Sequence, residues 1–329
     1  MRWLACELHT HTVHSDGRQT LQELGNGAAR LGFDCLALTD HNTMSGLADK
    51  QIVEQSAGIF ILPGMEWTTF HGHMVTIGLD DYVDWREAQP ANIHDGVAAV
   101  HRHGGLAGLA HPFRIGSPAC TGCYWEYAVQ DWNDFDYIEV WSGTFAPIKT
   151  DNSRAFSLWT DKLNEGHRIA ATSGRDWHEQ ADTEEPISVT YLGVKNETTI
   201  DTEQAVAALR QGRVSVTIGP LVNLEVISAA QVYGLGSIVP AGEGAVTAQV
   251  SIDCTVRSGL WALPHPDYHL ILISNKGVIA DYPLGSSDGL LELQAELPRD
   301  GLIWMRAELR GIVRGIRTMV AFTNPVYFE

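Results

Sequence analysis

Short apolar stretches that run, one after another, into metal-type side chains constrain this chain more than any other feature. Residues 4–11 read as a strand ending in His9-Thr-His11. Thr20-Leu-Gln-Glu23 is a capping box, Leu21, Leu24, Ala28 and Leu31 share one helical face, and Gly32 ends that helix. Residues 35–38 form a short buried strand leading to Asp40-His41, and residues 59–62 lead to Glu66. A helix from about Asn92, with Ile93, Val97 and Val100 inward, closes at Gly104-Gly105, and residues 106–110 deliver His111. A strand over 137–141 and a helix over 151–165 precede residues 169–172, which lead to Asp176 and His178; a last helix over 201–211 is capped by Gly212. This alternation predicts a parallel α/β sheet or barrel with its working residues at the strand C-termini.

The residues so delivered are of one chemical kind. His9, His11, Asp16, His41, Glu66, His73, His111, Asp176 and His178 supply imidazole and carboxylate, the groups that hold Zn, Mn or Fe in hydrolases. Nine such residues exceed the needs of one tetrahedral ion and suit a cluster of two or three with a shared carboxylate. His9 and His11, two apart on a strand, point to one face and can grip one ion.

After Gly219-Pro220 the period changes. Val246, Ala248, Val250, Ile252 and Cys254 alternate with polar residues, as do Leu291, Leu293, Ala295 and Leu297, and again Ile303, Met305, Ala307 and Leu309. With a turn at Asn275-Lys276-Gly277, this predicts an antiparallel β-sandwich. The expected domains are 1–219 and 220–329, reasonable for 329 residues.

The net charge of −18 argues against long nucleic acid, which needs a basic footprint. It leaves room for a small anionic substrate, because bound divalent ions reverse the local sign. The N-terminus lacks an apolar signal core and no run of eighteen apolar residues occurs, so neither a signal peptide nor a membrane span is expected. Five cysteines, few and odd in number, suit a reduced cytoplasm. Cys120-Thr-Gly-Cys123 lacks a second pair and a thioredoxin-like context, and reads as a loop with two thiols. The sequence carries no signal of oligomeric state.

Taken together, Glu7-Leu-His-Thr-His11, His14-Ser-Asp16-Gly, Leu38-Thr-Asp-His41-Asn, Gly64-Met-Glu66, Gly72-His73-Met, Ala110-His-Pro112 and Ser173-Gly-Arg-Asp176-Trp-His178 resemble the polymerase-and-histidinol-phosphatase (PHP) family of metal-dependent hydrolases. The resemblance covers roughly residues 4–180. The Gly72-His73 form, the Ile138-Glu-Val-Trp141 strand, Gly219-Pro220 and the terminal Thr323-Asn-Pro325 look like its carbaryl-hydrolase-like branch. The resemblance implies a distorted (β/α)7 barrel with a C-terminal antiparallel β-sandwich. It implies three ions: the first on His9, His11, Glu66 and Asp176, the second on Glu66, His73 and His111, the third on Asp16, His41 and His178. Asp16 stands where some members have histidine. The implied chemistry is attack on phosphorus by a metal-bridging hydroxide.

Arg114, Arg18 and Arg175 could hold phosphate oxygens, Arg114 foremost; surface ion pairs are the alternative. Trp177 could line the pocket. Glu7, Asp40 and Glu139 read as partners that orient ligand histidines, with a turn cap as the alternative for Asp40. His71 competes with His73, and His14 is a candidate leaving-group acid. His101 and His103 suit the negative end of a helix, and His265 and His269 read as structural or solvated. The expected activity is hydrolysis of a small phosphate mono- or diester, with Glu66, Asp176 and Arg114 at the chemistry. Hydrolysis of a carboxylic or carbamic ester, or metal binding without turnover, are the other readings.

Overall fold

The structure is a computed structural model describing residues 1–116, 122–195, 200–261, 265–285 and 288–329. Cys120 and the side chain of His265 lie outside the described residues.

The described residues of 1–219 supply nine strands: β1 (Arg2–Thr10), β2 (Cys35–Leu38), β3 (Phe60–Thr69), β4 (Gly72–Ile77), β5 (Leu106–Leu109), β6 (Tyr137–Ser142), β7 (Ala170–Gly174), β8 (Val189–Val194) and β9 (Val214–Thr217). The helices between them are α1 (Leu21–Arg30), α2 (Lys50–Ala57), α3 (Ile93–Arg102), α4 (Thr150–Asn164) and α5 (Thr202–Arg210). The Thr20 capping box forms as expected, both reciprocal bonds being present. The expected strands at 4–11, 35–38, 106–110 and 137–141 and the helix at 151–165 are matched to within one or two residues, and the helix expected from about Asn92 to Gly104-Gly105 is α3, which ends at Arg102.

Strands β1 to β7 follow one another in sheet order. The ladder is mixed, which corrects the expectation of a parallel sheet. Pairs β1–β2, β2–β3, β5–β6 and β6–β7 are parallel, whereas β4 runs antiparallel to both β3 and β5. The cause is local. Only Phe70 and His71 separate β3 from β4, too few residues for a crossover helix and enough for a hairpin. The first and last strands of this seven-strand run, β1 and β7, are joined just past β7 by a parallel bridge between Thr10 and Trp177. His11 N–H donates to the Trp177 carbonyl at 2.9 Å, and Trp177 N–H to that of His9 at 3.0 Å.

Strands β8 and β9 extend the sheet beyond β1 in antiparallel pairing, and β9 pairs with β18 (Ile316–Thr323), so one ladder runs across residue 220. The remaining strands are β10 (Leu221–Ser228), β11 (Gln231–Tyr233), β12 (Ile238–Val239), β13 (Ala245–Asp253), β14 (His265–Ser274), β15 (Gly277–Gly285), β16 (Leu290–Pro298), β17 (Trp304–Val313) and β19 (Val326–Phe328). Strands β11-β10-β13-β16 form a separate antiparallel sheet. Its apolar faces (Val222, Leu224, Val246, Val250) share one buried cluster with Leu270, Leu272, Ala307 and Leu309 of the larger sheet. Alternation holds in β13 and β16. It fails in β17, where Trp304, Arg306 and Glu308 on the second face are buried as well. Arg306 and Glu308 satisfy one another there, and Arg306 also donates to Thr160 of α4, so a polar pair hides in the interior. No helix among the described residues is long and apolar enough to cross a membrane.

Candidate metal centre

All nine metal-type residues converge where β1, β2, β3, β5 and β7 end. Their ligand atoms fall into three groups, each within 4.8 Å: His9, His11, Glu66 and Asp176; Glu66, His73 and His111; His11, Asp16, His41 and His178. His11 belongs to two of them, a sharing that the sequence reading did not include.

Glu66 is the hub. It is fully buried, with Oε2 lying 3.2 Å from His9 Nε2, 3.4 Å from His11 Nε2 and 2.9 Å from His41 Nδ1. Its Oε1 lies 3.0 Å from His73 Nδ1 and 3.2 Å from His111 Nε2. Burial alone would raise this carboxyl; His9, His73 and His41 outweigh it and hold the group well below the usual carboxylate range. Asp176 is likewise held low against burial by His9 and His11 and by Arg114. Burial lowers His11 and His111, which favours the neutral imidazole that binds metal. Asp16, half exposed, sits 3.3 Å from His41 Nε2 and 3.1 Å from His178 Nε2.

His9 Nε2, both ring nitrogens of His11, His73 Nε2, His111 Nδ1, Glu66 Oε2 and Asp176 Oδ1 are buried without a hydrogen-bond partner. Unpaired buried polar atoms are costly, and so many in one place need a common partner. Every one is a nitrogen or oxygen of a type that binds Zn, Mn or Fe. The residues therefore fit divalent cations. Two of them sit on left-handed backbone, uncommon outside glycine: His111 has φ 30° and Asp176 φ 54°.

The surrounding residues divide by what they touch. Glu139 Oε2 lies 2.6 Å from His9 Nδ1 and fixes that ring. Gly174 makes room for the pair, because a Cβ there would fall 2.4 Å from His9 Cβ and 3.0 Å from Glu139 Oε2. Thr68 Oγ1, which the sequence did not flag, meets His41 Nδ1 at 2.5 Å.

Several expectations are corrected. Glu7 touches no ring: its Oε1 accepts main-chain N–H groups of His9 (3.2 Å) and Arg175 (2.8 Å), and burial pushes its pKa up to about 7. Asp40 is the turn cap rather than a histidine partner. It accepts Thr12 N–H, Thr12 Oγ1 and Ser15 Oγ, each at 2.7 Å, and so holds the loop that carries Asp16. Arg18 turns outward to Glu179 at 3.2 Å, with 80 % of its side chain exposed, so it is a surface ion pair. Trp177 is 3 % exposed, packs in the apolar cluster of Leu24 and Ile61, and donates Nε1–H to the Glu179 carbonyl; it borders the cleft from within the core.

His73, not His71, reaches Glu66; His71 faces Glu126 at 4.0 Å. His14 bonds Ser45 Oγ at 2.8 Å, and His101 and His103 pair with Asp136 and Asp80 at the end of α3, each at 2.8 Å. His269 pairs with Asp281 at 3.3 Å on the C-terminal sheet.

Beside Asp176 and His178 opens a cleft of about 500 Å³ whose lining includes Arg114, Lys149, Arg175 and Thr144 together with the acidic Glu179 and Asp182. Arg114 ion-pairs with Asp176 Oδ2 and donates to Ser142 Oγ at 2.5 Å. Lys149 donates to the Ser142 carbonyl at 3.3 Å and pairs with no carboxylate among the described residues. Burial and the neighbouring Arg114 both lower its pKa. Sequence reasoning missed Lys149, which precedes α4 in no recognisable motif; its only sequence signal was a place near the end of β6.

Residues 7–111 match the PHP domain family model. A 5'-3' exoribonuclease of Haemophilus influenzae is 36% identical over 63 residues, 19% of this chain and 23% of that protein. A 3',5'-nucleoside bisphosphate phosphatase of Chromobacterium violaceum is 37% identical over 78 residues, 22% of this chain and 27% of its own length. The chain thus spans about a quarter of each of these relatives. Among solved structures, a two-domain protein from Bacteroides vulgatus containing a predicted PHP-like metal-dependent phosphoesterase superposes with TM-score 0.54 at 16% identity, over 99% of this chain and 95% of that one. That likeness concerns the fold, and it extends over both halves of the chain.

Proposed function

We propose that this chain, which carries a PHP domain over residues 7–111, is a metal-dependent phosphoesterase acting on a small phosphate mono- or diester. The observation that carries the reading is Glu66, a fully buried carboxylate whose two oxygens face five histidines while other buried donor atoms around it lack partners. Two or three Zn, Mn or Fe ions would be held by the three groups. Such ions, when bound, supply Lewis acidity toward a phosphoryl oxygen and acidify water.

The chain's own residues do the rest. Glu66 and Asp176 place negative charge between the groups and keep the histidines turned inward. Glu139 and Thr68 fix the rings of His9 and His41. Arg114 and Lys149 bring cationic donors to the mouth of the site, where they bind and orient phosphate oxygens and oppose charge that develops during transfer. These donors suit phosphate oxygens, and the two relatives named above act on phosphate esters by their names. The −18 charge favours a small substrate over a long polymer.

The test is hydrolysis by Mn-reconstituted protein of an aryl phosphomonoester, a phosphodiester and an aryl carbamate, with a chelated control. Metal-dependent cleavage of a phosphate ester supports the proposal. Cleavage of the carbamate alone would replace it with the carbonyl-ester reading.

A further inference from the structure

A second cleft opens at the other end of the sheet. It holds about 660 Å³ and is formed where β7 and β9 begin, between the α5–β9 turn, residues 233–238 and β19. The three metal-type groups lie past the opposite ends of the strands, so this cleft is separate from them.

Its lining is distinctive in charge. Arg168, Arg210 and Arg213 contribute to it, together with Tyr233, Ser237 and Tyr327, and no lining residue is acidic. In a chain with 22 basic and 40 acidic residues, three arginines on one concavity need a reason. Their neutralisation is incomplete. Arg210 reaches Asp136 only at 3.6 Å, and Arg168 and Arg213 pair with no carboxylate among the described residues. Arg213 is partly buried, which lowers its pKa; its Nε donates to the Gly193 carbonyl at 2.7 Å and its Nη1 to Gln211 Oε1, which hold the group in place and leave Nη2 toward the cleft's occupant. Arg168 lies over the buried Tyr327 ring at 5.6 Å, so the aromatic floor steadies the cation without cancelling its charge.

Guanidinium groups held this way are matched to phosphate, whose oxygens accept their remaining N–H bonds. The volume lies within the range of small-molecule sites. A concave wall of one sign also focuses the field on a multiply charged anion. We propose that this cleft is a second binding site for a small molecule carrying adjacent phosphate groups, held by Arg168, Arg210 and Arg213. Because its walls come from α5–β9 on one side and from residues 233–238 and β19 on the other, an occupant would brace the C-terminal β strands against the N-terminal sheet.

The experiment is calorimetric titration of inorganic pyrophosphate into the full chain, in chelator, carrying His9→Ala, His11→Ala, Arg114→Gln and Lys149→Gln so that neither the metal centre nor the cationic donors at its mouth can take the anion. Saturable one-to-one binding is expected, weakened about tenfold or more by adding Arg168→Gln and Arg213→Gln. Arg168→Lys with Arg213→Lys should recover part of the affinity, and the bound protein should melt higher than the free one. No saturable binding, or equal binding by the arginine-to-glutamine variant, overturns the proposal. Neither result bears on the metal centre, which is disabled throughout.

Discussion

Glu139 Oε2 lies 2.6 Å from His9 Nδ1, and that contact leaves Nε2 as the ring nitrogen free to bind metal. The carboxylate comes from β6 and the ring from β1, strands that are not neighbours in the sheet. Replacing Glu139 by Gln should keep the fold and loosen the ring. Metal affinity should fall about 10–100-fold, read by competition with a chromogenic chelator.

Gly174 should be intolerant of a side chain. A Cβ there would come within 2.4 Å of His9 Cβ, and β-strand backbone on both sides leaves neither atom room to move. Gly174→Ala should cost about 1–3 kcal/mol in a denaturant melt and weaken metal binding with it.

Asp40 organises the loop after β1 through three hydrogen bonds at 2.7 Å. Asp40→Ala leaves Thr12 N–H buried and unpaired. The variant should lose about 3 kcal/mol of stability, and metal bound by the Asp16, His41 and His178 group should be lost before the rest.

Arg114 spans Asp176 and Ser142 with one planar group, a geometry that lysine cannot copy. Arg114→Gln should lower kcat/KM for a phosphate ester about a hundredfold, and Arg114→Lys should restore only part. Lys149→Gln should raise KM more than it lowers kcat, since Lys149 lines the mouth without touching a candidate ligand.

The nine metal-type residues were legible because most of them stand just past an apolar strand, and strand ends can be read from local pattern. His73 was harder to place, since β4 is the return arm of a hairpin rather than a strand after a helix. That two-residue turn also made the ladder mixed, and an apolar run does not state its direction. Glu7 and Asp40 were misjudged for a common reason. A buried carboxylate beside a histidine in sequence can serve main-chain N–H groups instead, and only the fold shows which. Lys149 and Thr68 take their places through neighbours distant in sequence, Arg114 for one and His41 for the other. In β17 the buried Arg306–Glu308 pair disguised an interior face as a solvated one.

The central claim is that Glu66 and the residues around it bind divalent metal for catalysis. Its most direct test is metal counting by mass spectrometry on Mn-reconstituted, desalted protein, wild type beside His9→Ala/His11→Ala, with phosphoesterase rates measured on the same samples. The account predicts two or three ions per wild-type chain, at least one fewer in the variant, and turnover lost with it. Equal metal content and equal rates in the two proteins would contradict it.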